Sequence, residues 1–222
     1  MSDEVSPLPP LLEQIYETGE VEDEHGGRHP ARPTSIARDE ALALARCVRD
    51  HGASRTLEVG MAYGLSTLAL AGAHEGVHLA IDPFQRSDWR SIGILNVARA
   101  GLEGGVRVIE RRSDEALADL VARGEQFDLA FVDGLHLFDA TLVDFHFADR
   151  LLDVGGRVAL HDLWMPSVRA AVDFIAANRA YEPTREGTDN LLVLRKTAGD
   201  DRPWDHFVAP RRRRRGPSAR RP

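Results

Sequence analysis

Five short β-rich runs, 55–59 (RTLEV), 77–81 (VHLAI), 105–109 (GVRVI), 127–132 (FDLAFV) and 156–160 (GRVAL), alternate with helix-like stretches at 65–73, 88–101, 114–123 and 139–152. Strands joined through helical crossovers must lie parallel, and a parallel sheet needs apolar cover on both faces. Before this block, Ala41, Leu44, Ala45 and Val48 recur at helical spacing and stop at His51-Gly52; after it, Val168, Ala171, Val172 and Ile175 do the same. Two last β-like runs, 180–184 and 190–195, flank a Glu-Gly-containing turn and predict an antiparallel hairpin at the sheet edge. The expected fold class is α/β: a doubly wound, mostly parallel, seven-stranded sheet with a C-terminal antiparallel hairpin.

The length of 222 residues accommodates one such domain with tails. Residues 1–34 hold five prolines and the polar run GEVEDEHGGRHP, and read as a partly ordered lead-in to a domain over 35–198. Residues 199–222 form a C-terminal segment ending in RRRRRGPSARRP, whose seven arginines read as a disordered tail. The formal charge of -7 hides this asymmetry: without those arginines the remaining chain carries 21 basic and 35 acidic residues, a net of -14. Such a body disfavours a broad nucleic-acid surface, leaving only the tail for that role. One cysteine, Cys47, excludes an intrachain disulfide. With no basic-then-apolar leader and no apolar run of membrane-spanning length, the expected location is cytoplasmic.

The first predicted strand runs into Leu57-Glu58-Val59-Gly60-Met61-Ala62-Tyr63-Gly64-Leu65-Ser66-Thr67. Open α/β sheets bind ligands at such strand-to-helix turns, where glycine allows close backbone approach and the helix start offers N–H groups. A dinucleotide loop wants G-x-G-x-x-G, but Ala62 and Leu65 stand where the second and third glycines would be. Glu58 would repel a pyrophosphate yet accept hydrogen bonds from a cationic ligand. Asp82, closing the second strand, is placed to accept from ribose hydroxyls. The implied ligand is a nucleoside with a cationic, amino-acid-like extension.

Here the sequence resembles the class I S-adenosylmethionine-dependent methyltransferases, whose first motif has the E-x-G-x-x-x-G form carried by Glu58, Gly60 and Gly64. The similarity covers about 36–196 and includes LEVGMAYGLSTLALA, AIDPFQ, FDLAFVDGLH and GGRVALHDLWMPS. It implies a Rossmann-like sheet and S-adenosylmethionine as cofactor. Gly60 and Ser66 would sit at its amino-acid end, Asp82 at the ribose, and Ser113 or Asp114 near the adenine, with Glu58, Ala62, Gly64 and Asp133 also among the cofactor-binding residues.

The fourth strand ends in Asp133-Gly134-Leu135-His136 and the fifth in His161-Asp162. Neighbouring parallel strands bring Asp133 and Asp162 to the cofactor's crevice, where two carboxylates want a cation. Oxygen ligands suit Mg²⁺. His136, three residues past Asp133, is placed to take a proton near neutral pH. The arrangement looks like that of metal-dependent small-molecule O-methyltransferases of the catechol and antibiotic-sugar groups, which use an acid after strand four, an acid-acid or Asp-Asn pair after strand five, and a Lys or His base at the offset of His136. His161 stands where the sugar group has an acid, and Leu163 where the catechol group has Asn. The third ligand is open: His161 binds metal, shifting preference toward Mn²⁺ or another transition metal, or serves as a second acid–base group, or no metal is present.

The leading expectation is an O-methyltransferase acting on a small hydroxylated acceptor such as a sugar, phenol or polyketide, working as a homodimer. An RNA or protein methyltransferase is disfavoured by the acidic body. A non-catalytic nucleoside-binding protein is disfavoured by Asp133, His136 and Asp162 occurring together.

Overall fold

The computed structural model describes residues 8–210; the basic tail singled out by sequence lies outside the described residues. The chain begins with α1 (Pro10–Thr18) and a small hairpin of β1 (Glu20–Glu22) and β2 (Arg28–Pro30). It continues through α2 (Arg38–His51), β3 (Arg55–Val59), α3 (Leu65–Ala71), β4 (Val77–Ile81), α4 (Ile92–Arg99), β5 (Val106–Ile109), α5 (Ser113–Ala122) and β6 (Phe127–Val132). The remainder comprises α6 (Phe138–Leu151), β7 (Leu152–Leu160), α7 (Pro166–Asn178), β8 (Tyr181–Pro183) and β9 (Leu192–Lys196).

The seven-stranded sheet has the order β5-β4-β3-β6-β7-β9-β8. Its first five strands are parallel, and β9 runs antiparallel to both β7 and β8. The expected mostly parallel architecture is therefore present, with the final hairpin inserted so that β9 pairs inward and β8 forms the edge. Strand alternation explains the two layers of core. Leu129 and Phe131 of β6 face the cluster built from α1, α2 and α3, whereas Ala130 and Val132 face the cluster of α5, α6 and α7. The apolar strand runs arise because both faces are covered.

The lead-in folds from residue 8 onward. Leu8, Leu12, Ile15 and Val21 are buried in the first core cluster, so α1 and the hairpin are part of the packed body. At the other end, Asn178 exchanges two 2.8 Å hydrogen bonds with the backbone of Val208, tying the irregular segment after β9 to α7. Among the described residues, no helix is long and apolar enough to cross a membrane.

The order reverses between β3 and β6: the chain leaves β3 toward β4 and β5, then returns to the other side of β3. Such a switch point opens a crevice at the carboxyl ends of the strands. Gly60, Asp133 and Asp162 all lie there, directly after β3, β6 and β7.

Candidate active site

Gly60 has φ +91°, and a Cβ there would lie 2.1 Å from the Asp133 carbonyl oxygen and 2.7 Å from its carbon. Only glycine fits where two strand ends approach so closely. The loop then turns tightly, with the Gly64 N–H donating to the Met61 carbonyl at 2.7 Å, and Ala62 adopts φ +46°, uncommon for a residue with a side chain. Ser66 is buried in the first turn of α3.

Asp82 holds this loop in shape. It is 3% exposed; its Oδ2 accepts from the backbone N–H of Met61 (3.1 Å) and Ala62 (2.8 Å) and from Gln85 Nε2 (3.2 Å), while Oδ1 accepts from Phe84 N–H (2.8 Å). Three of these four donors converge on Oδ2, and Oδ1 has one. The Ala62 N–H, expected near the ligand, is likewise engaged by Asp82. Gln85, which sequence reasoning missed, spans the same gap by donating to the Ala62 carbonyl at 2.8 Å.

Glu58 is turned inward. Its side chain is 0% exposed, with Oε2 accepting from Thr67 Oγ1 at 2.5 Å and lying 3.2 Å from His78 Nε2. Through Oε2 the carboxylate supports the β3–α3 layer, while its buried Oε1 has no hydrogen-bond partner. Alternation along β3 causes this, because Glu58 points to the face opposite Leu57 and Val59.

The second constellation is assembled as a compact cluster. Ligand atoms of Asp133, His136 and Asp162 lie within 4.8 Å of one another. His136 Nε2 is 3.2 Å from Asp133 Oδ1 and 3.0 Å from Asp162 Oδ2. The Asp133 and Asp162 hydrogen bonds push the His136 pKa up to about 9 against the opposing effect of burial. Asp162 adopts φ +57°, a costly conformation for a non-glycine residue, and its Oδ1 accepts from Trp164 Nε1 at 2.8 Å and from Asn190 Nδ2 at 3.3 Å. Burial raises the Asp162 pKa, but the His136 hydrogen bond, the His161 charge and these donors together hold it well below the usual carboxylate range.

His161, expected as a metal ligand, meets protein partners at both ring nitrogens. Its Nδ1 lies 3.0 Å from Asp133 Oδ1, and its Nε2 lies 3.1 Å from Glu40 Oε2 and 3.1 Å from Asn190 Nδ2. Burial would lower its pKa, yet Asp133 and Glu40 outweigh that and push it up to about 10. His136 is the histidine whose nitrogen groups with the two aspartates within 4.8 Å. The position of Leu163 is met by no Asn of its own; Asn190, just before β9, reaches the same aspartate from another part of the chain.

Ser113 opens α5 beside the crevice. Asp114 pairs with Arg112 at 3.0 Å on the exposed side, the ordinary use of a first-turn acid. The unexpected group is Asp144 of α6, 2% exposed, whose Oδ2 would be 3.3 Å from a Cβ placed on Gly134. Burial raises its pKa from 3.8 to about 6, with the Ser113 hydroxyl pulling the other way. Because the folded pKa exceeds the unfolded one, the fold favours the neutral acid; stability is greatest below pH ~4 and falls as pH rises through ~6. At ~1.36 kcal/mol per pKa unit, the ionised group costs about 3 kcal/mol above that window. Asp144→Asn is expected to raise the melting temperature by about 5 to 10 °C at pH 7.5 and by much less at pH 4.5. Equal melting temperatures for the two proteins at pH 7.5 would contradict this.

A doubly wound sheet thus carries a glycine loop and an Asp-His-Asp cluster at the carboxyl ends of β3, β6 and β7. A family model described as a methyltransferase domain matches residues 57–163. Caffeoyl-CoA O-methyltransferase of Populus kitakamiensis is 30% identical over 212 residues, spanning 86% of this chain and 85% of that protein. Flavonoid 3',5'-methyltransferase of Vitis vinifera is 29% identical over 170 residues, spanning 73% and 68%. Among solved structures, the Bacillus cereus O-methyltransferase in complex with SAH superposes with a TM-score of 0.69 at 20% identity, over 88% of this chain and 94% of that one. The chain belongs to the class I S-adenosylmethionine-dependent O-methyltransferases, alongside the caffeoyl-CoA O-methyltransferases.

Proposed function

We propose that this methyltransferase transfers the methyl group of S-adenosylmethionine to a hydroxyl of a small acceptor with the help of a divalent cation held by Asp133 and Asp162. The observation that carries the reading is the convergence of Asp133, His136 and Asp162 within 4.8 Å, beside the Gly60 loop. The relatives named for caffeoyl-CoA and flavonoid acceptors make a phenolic hydroxyl the first choice, ahead of a sugar or polyketide. Trp164, 52% exposed and hydrogen-bonded to Asp162, gives such an aromatic a surface to lie on.

The donor set fits a divalent ion. Two carboxylates suit Mg²⁺, and an imidazole nitrogen within reach also suits Mn²⁺. The Trp164 and Asn190 donors engage Asp162 Oδ1 and leave Oδ2 facing the cluster. The chemistry such a cation supplies when bound is positive charge that acidifies the acceptor hydroxyl.

The protein's own groups do the rest. The loop at Gly60–Gly64 and the Ser113 end of α5 bracket the cofactor, so that the acceptor oxygen meets the sulfonium methyl in line. The oxygen's electron pair forms the new C–O bond, the C–S bond breaks toward sulfur, and the hydroxyl proton passes to His136 Nε2. Alignment of this kind supplies about 7 to 11 kcal/mol in favourable systems. Both carboxylates turned toward it hold the His136 pKa up at about 9; were Asp133 and Asp162 to hold a cation instead, the ring would be freed toward its ordinary range and could accept the proton.

Calorimetric titration with S-adenosylmethionine, with chelator and then with Mg²⁺, tests the cofactor and metal assignments together. Heat of cofactor binding is expected, and its absence would overturn the reading. His136→Ala is expected to keep cofactor affinity within about twofold while lowering kcat by about 10²- to 10⁴-fold, the range for a general base. Unchanged turnover would remove the base role. Since His136 Nε2 also lies among the candidate ligand atoms, a second reading makes it the third ligand; loss of metal affinity in the same variant would select that reading.

A further inference from the structure

We propose that Glu40 and Asn190 are positioning residues for the metal-binding carboxylates, Glu40 acting through His161 on Asp133 and Asn190 acting directly on Asp162. The inference rests on the proposed metal site and deepens it.

Glu40 lies in the first turn of α2, far in sequence from any of the site motifs, yet its side chain is 7% exposed and faces the back of the cluster. Its Oε2 accepts the Ala37 N–H at 2.5 Å, which caps the helix, and also meets His161 Nε2 at 3.1 Å. Through the other ring nitrogen His161 reaches Asp133 Oδ1 at 3.0 Å. This is a carboxylate–imidazole–carboxylate relay running from a helix cap to a metal-facing group. Capping alone explains one carboxylate oxygen on one N–H; it does not explain why a buried acid is aimed at a buried histidine.

Asn190 closes the relay from the other side. Its Nδ2 has two hydrogens and three groups in range: Glu40 Oε1 at 3.1 Å, His161 Nε2 at 3.1 Å and Asp162 Oδ1 at 3.3 Å. Its backbone carbonyl accepts the Leu163 N–H at 3.3 Å, and its Oδ1 accepts the Trp164 N–H at 3.4 Å. These bonds grip the turn in which Asp162 holds its φ of +57°, so the strained backbone is sustained by a residue 28 positions away. The two aspartates thus share one support, made of Glu40, His161 and Asn190. Groups hydrogen-bonded behind metal-binding carboxylates fix their orientation, and losing one commonly weakens metal binding about 10- to 100-fold.

The test uses Mn²⁺ as the probe, read by electron paramagnetic resonance on the full-length protein, with calorimetry of S-adenosylmethionine as a parallel readout. Glu40→Gln keeps the size and one acceptor oxygen but cannot accept from both His161 and Ala37 while serving Asn190. Asn190→Ala leaves the helix cap untouched, so one variant remains informative if the other does not fold. Both are expected to weaken Mn²⁺ binding by at least about tenfold, to leave cofactor affinity within about twofold, and to broaden the bound Mn²⁺ spectrum. In Glu40→Gln, the His161 ring nitrogen resonances should move as well. Mn²⁺ affinity within twofold of the parent protein in the folded variants would overturn the proposal alone; a parent protein that binds no Mn²⁺ would overturn it together with the metal site.

Discussion

Gly60→Ala should abolish methyl transfer and cofactor binding together. The added Cβ would sit 2.1 Å from the Asp133 carbonyl oxygen and 2.7 Å from the carbonyl carbon. Both are main-chain atoms, so no rotamer change relieves the overlap; β3 and β6 must separate at their carboxyl ends. The φ of +91° adds strain for any residue with a side chain. The same displacement moves the glycine loop and Asp133, the first of the two carboxylates proposed to hold metal, so two proposed functions are lost for one methyl group. Affinity for S-adenosylmethionine is expected to fall by at least about 100-fold, with a stability loss of several kcal/mol, on the order of other steric and strain defects. Calorimetry and a thermal melt read both quantities. A variant that binds the cofactor within threefold of the parent would show that the close approach is not needed.

Asp133→Asn should separate chemistry from cofactor binding. The amide keeps one acceptor oxygen for the two imidazoles that converge on Oδ1, but it removes the charge that they and a cation require. We expect kcat/KM for the true acceptor to fall by about 10³-fold, the scale on which loss of a charge-organising group at a reacting oxygen is felt. Cofactor affinity should change by less than about threefold. His136 and His161 then lose a carboxylate partner, so both rings titrate lower than in the parent protein, which NMR titration reads directly. Retained turnover would exclude Asp133 from the reacting centre.

The sheet was legible because its apolar runs have the length and composition of strands buried on both faces, and because each is followed by a turn residue. Its exceptions have local causes. The strand β7 begins at Leu152 rather than 156, since Asp153-Val154-Gly155-Gly156 reads as a turn while its pairing with β6 shifts register there. The helix expected from 88 begins at Ile92, because Arg90 and Ser91 both take positive φ.

The site was legible to the extent that its groups lie at strand ends. Asp133, His136 and Asp162 follow directly from β6 and β7, and topology alone brings those ends together. What sequence could not show were side-chain orientation and long-range partners. Glu58 and Asp82 lie on either side of the glycine loop as their motifs suggest, but pleating turns one inward and loop N–H groups occupy the other. Glu40 and Asn190, 150 positions apart, meet only through the fold. Glu40 had one local signal, its place three residues beyond a helix start, and that signal pointed to a cap. Asn190 had none.

The most direct test of a metal-assisted O-methyltransferase site is transfer of a labelled methyl group from S-adenosylmethionine to a panel of phenols bearing adjacent hydroxyls, measured with Mg²⁺ and again after chelation. The account predicts O-methylated product with Mg²⁺ and at least about a tenfold loss on chelation that Mg²⁺ restores, with cofactor affinity unchanged. Product formed at the same rate after chelation would contradict the role assigned to Asp133 and Asp162.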